Sequence, residues 1–91
     1  MSVTVRVPTT LRTFTGGRSE VVVEGATVGD VLTALDAEHP GIADRVIDAD
    51  GSLRRFVNVF LADDDVRFLE GLATPVPEGE TISIIPAVAG G

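Results

Sequence analysis

The 91 residues predict a single small α+β domain, a mixed sheet curled around one main helix. Three observations carry this: an opening run of alternating valines, a segment with apolar residues at helical spacing, and later alternating runs, the last of which feeds into the end of the chain. With 44% apolar residues the chain supports one modest core and leaves no room for a second domain.

Val3, Val5 and Val7 alternate with Thr4 and Arg6, the period of a half-buried strand, and Pro8 removes the next backbone donor. Residues 9–17 read as a loop closing on Gly16-Gly17, and residues 19–24 as a second strand through Val21, Val22 and Val23. Together they predict a long-loop hairpin. Thr27 followed three residues later by Asp30 is an N-cap pattern, and Val28, Val31, Leu32 and Leu35 recur on one helical face, which predicts a helix over 28–38. His39-Pro40 stops it, because proline drives its predecessor out of the α region, and Gly41 adds a second break.

Residues 42–47 suggest one more short helical turn, and residues 48–52 a polar loop. Residues 56–62 read as a third strand with Val57, Val59 and Leu61 in the core. Asp63-Asp64-Asp65 is expected to turn, residues 66–68 to form a short strand, and residues 75–79 to turn the chain into a last strand over 81–85, with Ile82 and Ile84 inward. This order matches a β-grasp, or ubiquitin-like, domain over 1–86, with the final strand central beside the first and a flexible tail over 87–91.

The tail, Ala87-Val88-Ala89-Gly90-Gly91, points most directly to function. Glycine lacks Cβ, so Gly90 and Gly91 can pass through a slot too narrow for side chains and present the carboxylate of Gly91 to another protein. Extended at about 3.3 Å per residue, the five residues reach roughly 17 Å. The bland alternative is a frayed end, yet Gly-Gly arises there by chance in only roughly 0.5% of chains.

Composition narrows the classes further. A net charge of −7 argues against nucleic acid and suggests a basic protein surface as partner. All seven cations are arginines, so no lysine amine is present for isopeptide linkage. Cysteine is absent, which removes disulfides, a thiolate nucleophile and cysteine-based zinc sites. The first residues show no basic and apolar leader pattern and no stretch has membrane-spanning length, so a cytoplasmic location with no membrane partner is expected.

Other motifs are weak. His39, beside Pro40 at a helix end, is expected to serve that terminus. Asp48-Ala49-Asp50-Gly51 resembles part of a calcium loop, but aligning Gly51 with the loop glycine puts Val46 and Val57 where carboxylates are required. Arg54-Arg55 reads as a solvated strand end, or as a contact for an acidic patch. With no convergent acid, base, nucleophile or metal set, no catalytic residue, metal or cofactor is assigned and the chain is not read as an enzyme.

The terminal run Ile84-Ile85-Pro86-Ala87-Val88-Ala89-Gly90-Gly91 resembles the ubiquitin-like sulfur carriers of the ThiS/MoaD family. Arg55-Phe56-Val57-Asn58, Asp64-Asp65-Val66-Arg67-Phe68 and Gly71-Leu72-Ala73-Thr74 resemble its cysteine-biosynthesis (CysO) branch. The resemblance implies that an E1-like adenylyltransferase/sulfurtransferase activates the Gly91 carboxylate with ATP and that sulfur then displaces AMP, leaving a thiocarboxylate. In the CysO branch that sulfur goes to a PLP-dependent cysteine synthase, and a JAB-type metalloprotease frees the product. Molybdopterin, thiazole or thiosugar synthesis, or protein modification, are the other routes implied. ATP, pyridoxal phosphate and zinc belong to those partners.

Ordering a five-residue tail costs on the order of 5–10 kcal/mol, at about 1–2 kcal/mol per residue. Two glycines offer little contact to offset that. The body must therefore dock, and alternation nominates Phe60, Ile85 and Phe56 on the sheet face away from the helix.

Overall fold

The structure, a computed structural model, describes residues 2–86. Its strands are β1 (Ser2–Arg6), β2 (Glu20–Glu24), β3 (Val57–Leu61), β4 (Asp64–Asp65) and β5 (Thr81–Pro86), with one helix, α1 (Val28–Glu38), and short 3-10 turns at Thr9–Leu11, Ala43–Arg45, Val66–Phe68 and Gly71–Ala73. The strands form one mixed sheet in the order β2-β1-β5-β3-β4. It is the β-grasp arrangement that the element order predicts.

Alternation sets the two faces. In the β1–β2 hairpin Val3 pairs with Val23 and Val5 with Val21, and all four are buried. Val22, between them, points outward and is 62% exposed. β5 lies parallel to β1, with Val5 beside Ile82, and antiparallel to β3, with Val59 beside Ile84. The last strand therefore occupies the middle of the sheet, held by ladders on both sides.

α1 covers the inner face. The Thr27 hydroxyl oxygen accepts the Asp30 N–H at 3.1 Å, capping the helix start, and Val28, Val31, Leu32 and Leu35 are wholly buried against the strands. The chain can turn from β2 into α1 only through glycine at position 25. A Cβ there would stand 2.7 Å from the Val31 nitrogen and 2.8 Å from its Cγ2. At the far end Asp36 holds the chain that leaves the helix: its Oδ1 accepts from the Gly41 N–H at 3.0 Å and the Ala43 N–H at 3.1 Å, folding the chain back over the helix end. Gly41 makes that reversal at φ +98°.

Three local expectations are corrected. Residues 66–68 form a 3-10 turn rather than a strand, because the Asp65 carboxylate accepts the Arg67 N–H at 2.8 Å and curls the backbone. Val66 is thereby buried while Phe68 points out. The reversal after β3 sits at Ala62-Asp63, not across the three aspartates: Asp64 and Asp65 pair with Leu61 and Phe60 as β4, and Ala62 takes a φ of +54°. Leu61, expected in the core with Val57 and Val59, packs against it but is only half-buried, since it is the last residue of β3 beside that turn. The predicted flexible tail, Ala87 to Gly91, lies outside the described residues.

Candidate functional site

The residues given the chemistry by sequence, Gly91 with Ala87, Val88, Ala89 and Gly90 leading to it, lie outside the described residues, so the structure defines the base from which they extend. Ile82 and Ile84 anchor β5 in the core, at 0% and 2% exposure. Ile85, pointing the other way, is 48% exposed. Pro86, the last described residue, pairs with Val57 and has no N–H to give to the ladder. In β1, Pro8 likewise has no N–H to give, two residues past the strand's last residue, Arg6.

Phe60 and Ile85 share the open face, diagonal to each other across the β3–β5 ladder: Phe60 pairs with Ser83 and Ile85 with Asn58. One row across the sheet reads Glu20, Arg6, Ser83, Phe60, Asp65. The Arg6 Nε stands 3.5 Å from Glu20 Oε2, so a salt bridge lies at one end of that row and the half-buried Phe60 ring toward the other. Phe56 is 58% exposed but precedes β3, in the turn at the end of the sheet. The three nominated residues thus fall on one side of the β5 terminus, two on the face and one at its edge.

Sequence reasoning missed two neighbours of that edge. Phe68 is 88% exposed, and Leu69 after it 45%. The signal was present in Asp65, a side chain suited to capping a turn, but the alternating Val66-Arg67-Phe68 masked it. Arg67 bridges the elements here: one guanidinium nitrogen donates to Asn58 Oδ1 at 2.9 Å and the other to the Arg54 carbonyl oxygen. It ties the turn after β4 to the start of β3, beside the strand from which the tail departs.

The weaker motifs take structural roles. The backbone N–H of His39, not its imidazole, donates to the Leu35 carbonyl at 2.8 Å as α1 ends. Asp48 Oδ1 accepts from the Asp50 N–H at 2.9 Å and the Ser52 N–H at 3.2 Å, closing a loop with its own backbone. Arg54 Nε donates to the Asp44 carbonyl at 2.7 Å, at the rim of a groove of about 500 Å³ where Arg45 lies 5.6 Å above the Phe14 ring. Among the described residues no group of three or more His, Cys, Asp and Glu could hold a metal ion, and no helix is long and apolar enough to cross a membrane.

The sequence matches the ThiS family over residues 5–91. It is 48% identical over the full length of both chains to the sulfur carrier protein CysO of Mycobacterium tuberculosis, and 41% identical, again over both full lengths, to small archaeal modifier protein 3 of Haloferax volcanii. Among solved structures it is similar to one of the Amycolatopsis orientalis BexX/CysO complex, with a TM-score of 0.92 and 47% identity, covering 98% of this chain and 99% of the other.

Proposed function

The chain belongs to the ThiS family, and on that premise we propose that it is a sulfur carrier acting through Gly91. The carboxylate of Gly91 attacks the α-phosphate of ATP in the active site of an E1-like enzyme, expelling pyrophosphate. A sulfur nucleophile then adds to the acyl carbon and AMP leaves, giving a thiocarboxylate. Activation is needed because attack on a bare carboxylate would add charge to an anion. The product's sulfur is largely ionised near neutral pH, by the logic that makes a thiolate the reactive form of a thiol. Its acceptor is a PLP-dependent cysteine synthase, after which a JAB-type metalloprotease restores Gly-Gly. The chain itself is a co-substrate and not an enzyme, and works in the cytoplasm.

One observation carries this reading: the strand that leads into the tail is the central one of the sheet, paired with a neighbour on each side. The base of the tail is thus fixed in the sheet before any docking. Phe60 and Ile85, with Phe56 at the edge, form the apolar surface that offsets its cost.

The likeness to a small archaeal modifier protein favours a second reading, in which the activated tail acylates lysines of other proteins. Purified chain, ATP and the host's E1-like enzyme separate these from a binding module. ATP–pyrophosphate exchange that depends on the chain and disappears on deletion of Gly91 supports both activated readings. Exchange that survives the deletion overturns them, and lysine-linked conjugates in place of thiocarboxylate select the modifier.

A further inference from the structure

The two edges of the sheet are guarded differently. β4 is two residues long, too short to template a further strand. β2, on the opposite edge, is five residues long and has no proline, glycine or bulge: its register with β1 runs unbroken from Glu24 beside Ser2 to Glu20 beside Arg6. The Val7 N–H donates to the Ser19 carbonyl at 2.8 Å, which fixes the direction of the backbone groups along the hairpin. Ser19, Val21 and Val23 turn theirs toward β1, while Glu20, Val22 and Glu24 turn theirs outward, past the end of the sheet. The side chains of those last three residues are exposed on the open face, with Val22 between two carboxylates.

The run Glu20-Val21-Val22-Val23-Glu24 reads the same in both directions, and this decides what the edge takes. A second copy pairing antiparallel over the whole strand lays Val22 on Val22 and sets Glu20 opposite Glu24 at both ends, two like-charge pairs on one face. A strand with a cation at each of those positions meets the same backbone groups with attraction instead. Arg6 Nε, 3.5 Å from Glu20 Oε2, belongs to an exposed pair, which leaves that carboxylate able to accept a second donor. Arg18 precedes the strand at the same end, and Glu24 stands at the other, across from Ser2.

We infer that β2 takes an added antiparallel strand from another protein, with an apolar residue opposite Val22 and basic residues, two positions to either side, opposite Glu20 and Glu24. The two carboxylates are four residues apart, about 14 Å at about 3.4 Å per residue, the reach of an extended partner with the same spacing. Main-chain bonds supply the affinity, and the flanking charges choose the partner. β1 separates β2 from β5, so a strand added there leaves Phe60 and Ile85 uncovered.

Nothing in this pairing needs Gly91, so it stands or falls apart from the carrier reading. The full chain, labelled with nitrogen-15, is titrated with a blocked synthetic peptide that has valine at its centre, threonine on either side and arginine beyond each threonine. A second peptide carries glutamate in place of both arginines. The arginine peptide binds roughly tenfold tighter at low salt, and the gap closes toward parity as ionic strength rises to about 0.5 M. Amide shifts centre on residues 20–24, and exchange of the Val22 N–H slows. Val22→Pro removes that N–H, which points away from the β1 ladder, so the variant folds by circular dichroism and binds roughly tenfold more weakly. Val22→Thr keeps the N–H and binds within about threefold of wild type. If Val22→Pro unfolds, Glu20→Lys decides, since that side chain is exposed: it loses the preference for the arginine peptide. No binding, equal binding of the two peptides, shifts centred elsewhere, or a folded Val22→Pro that binds like wild type overturns the inference. A wild type that sediments as a dimer without peptide, and as a monomer in Val22→Pro, overturns it in favour of a second copy.

Discussion

Replacing Phe60 by threonine separates docking from folding. Threonine suits a strand through its β-branched side chain, and it puts no charge opposite Asp65, the cross-strand partner of Phe60. The ring is half-buried, so about half of the 1.5–3 kcal/mol for full burial is lost, or about 1 kcal/mol of stability. For a domain of this size that lowers Tm by roughly 4–8 °C. If the ring anchors the partner, its removal costs about 2 kcal/mol of binding, roughly a thirtyfold rise in KM. Thermal melts by circular dichroism and ATP–pyrophosphate exchange against chain concentration, both well below Tm, read the two effects separately. A KM within about twofold of wild type refutes the docking role. So does a variant that is unfolded at the assay temperature, because Phe60 then belongs to the core.

Three smaller changes test the fold around the site. Thr27→Ala removes the hydroxyl oxygen that accepts the Asp30 N–H and lowers stability by about 1 kcal/mol in denaturant titration. Ala62→Gly relieves the positive φ at the β3–β4 turn and gains up to about 1 kcal/mol, so a melting temperature below wild type contradicts the strained turn. Phe68→Ser, at an 88% exposed position, leaves the melting temperature within about 2 °C of wild type, and a larger fall contradicts the outward placement of that ring.

Legibility in the sequence followed the range of the interactions. The bounds of α1 were readable because their causes are local: Thr27 caps it, four buried residues share one face, and His39-Pro40 ends it. The inward residues of β1 and β5 were readable from alternation alone. The 3-10 turn at Val66–Phe68 was not, since three residues cannot distinguish periodicities and the deciding contact is a side chain to backbone bond from Asp65. Nor was the convergence of Arg67 on Asn58 and Arg54, which depends on how β4 returns along β3. Phe60 and Ile85 were placed on the open face correctly by parity, but Phe56 falls just before its strand begins, where parity no longer decides direction.

The role of Gly91 is tested most directly by the intact mass of the protein purified from its native host, before any reductant or alkylating agent is added. The carrier account predicts a population heavier by the exchange of one oxygen for sulfur, localised by fragmentation to Gly91 and missing when Gly91 is deleted. Finding that mass gain on any other residue, or finding only the plain carboxylate while the pathway is running, contradicts it.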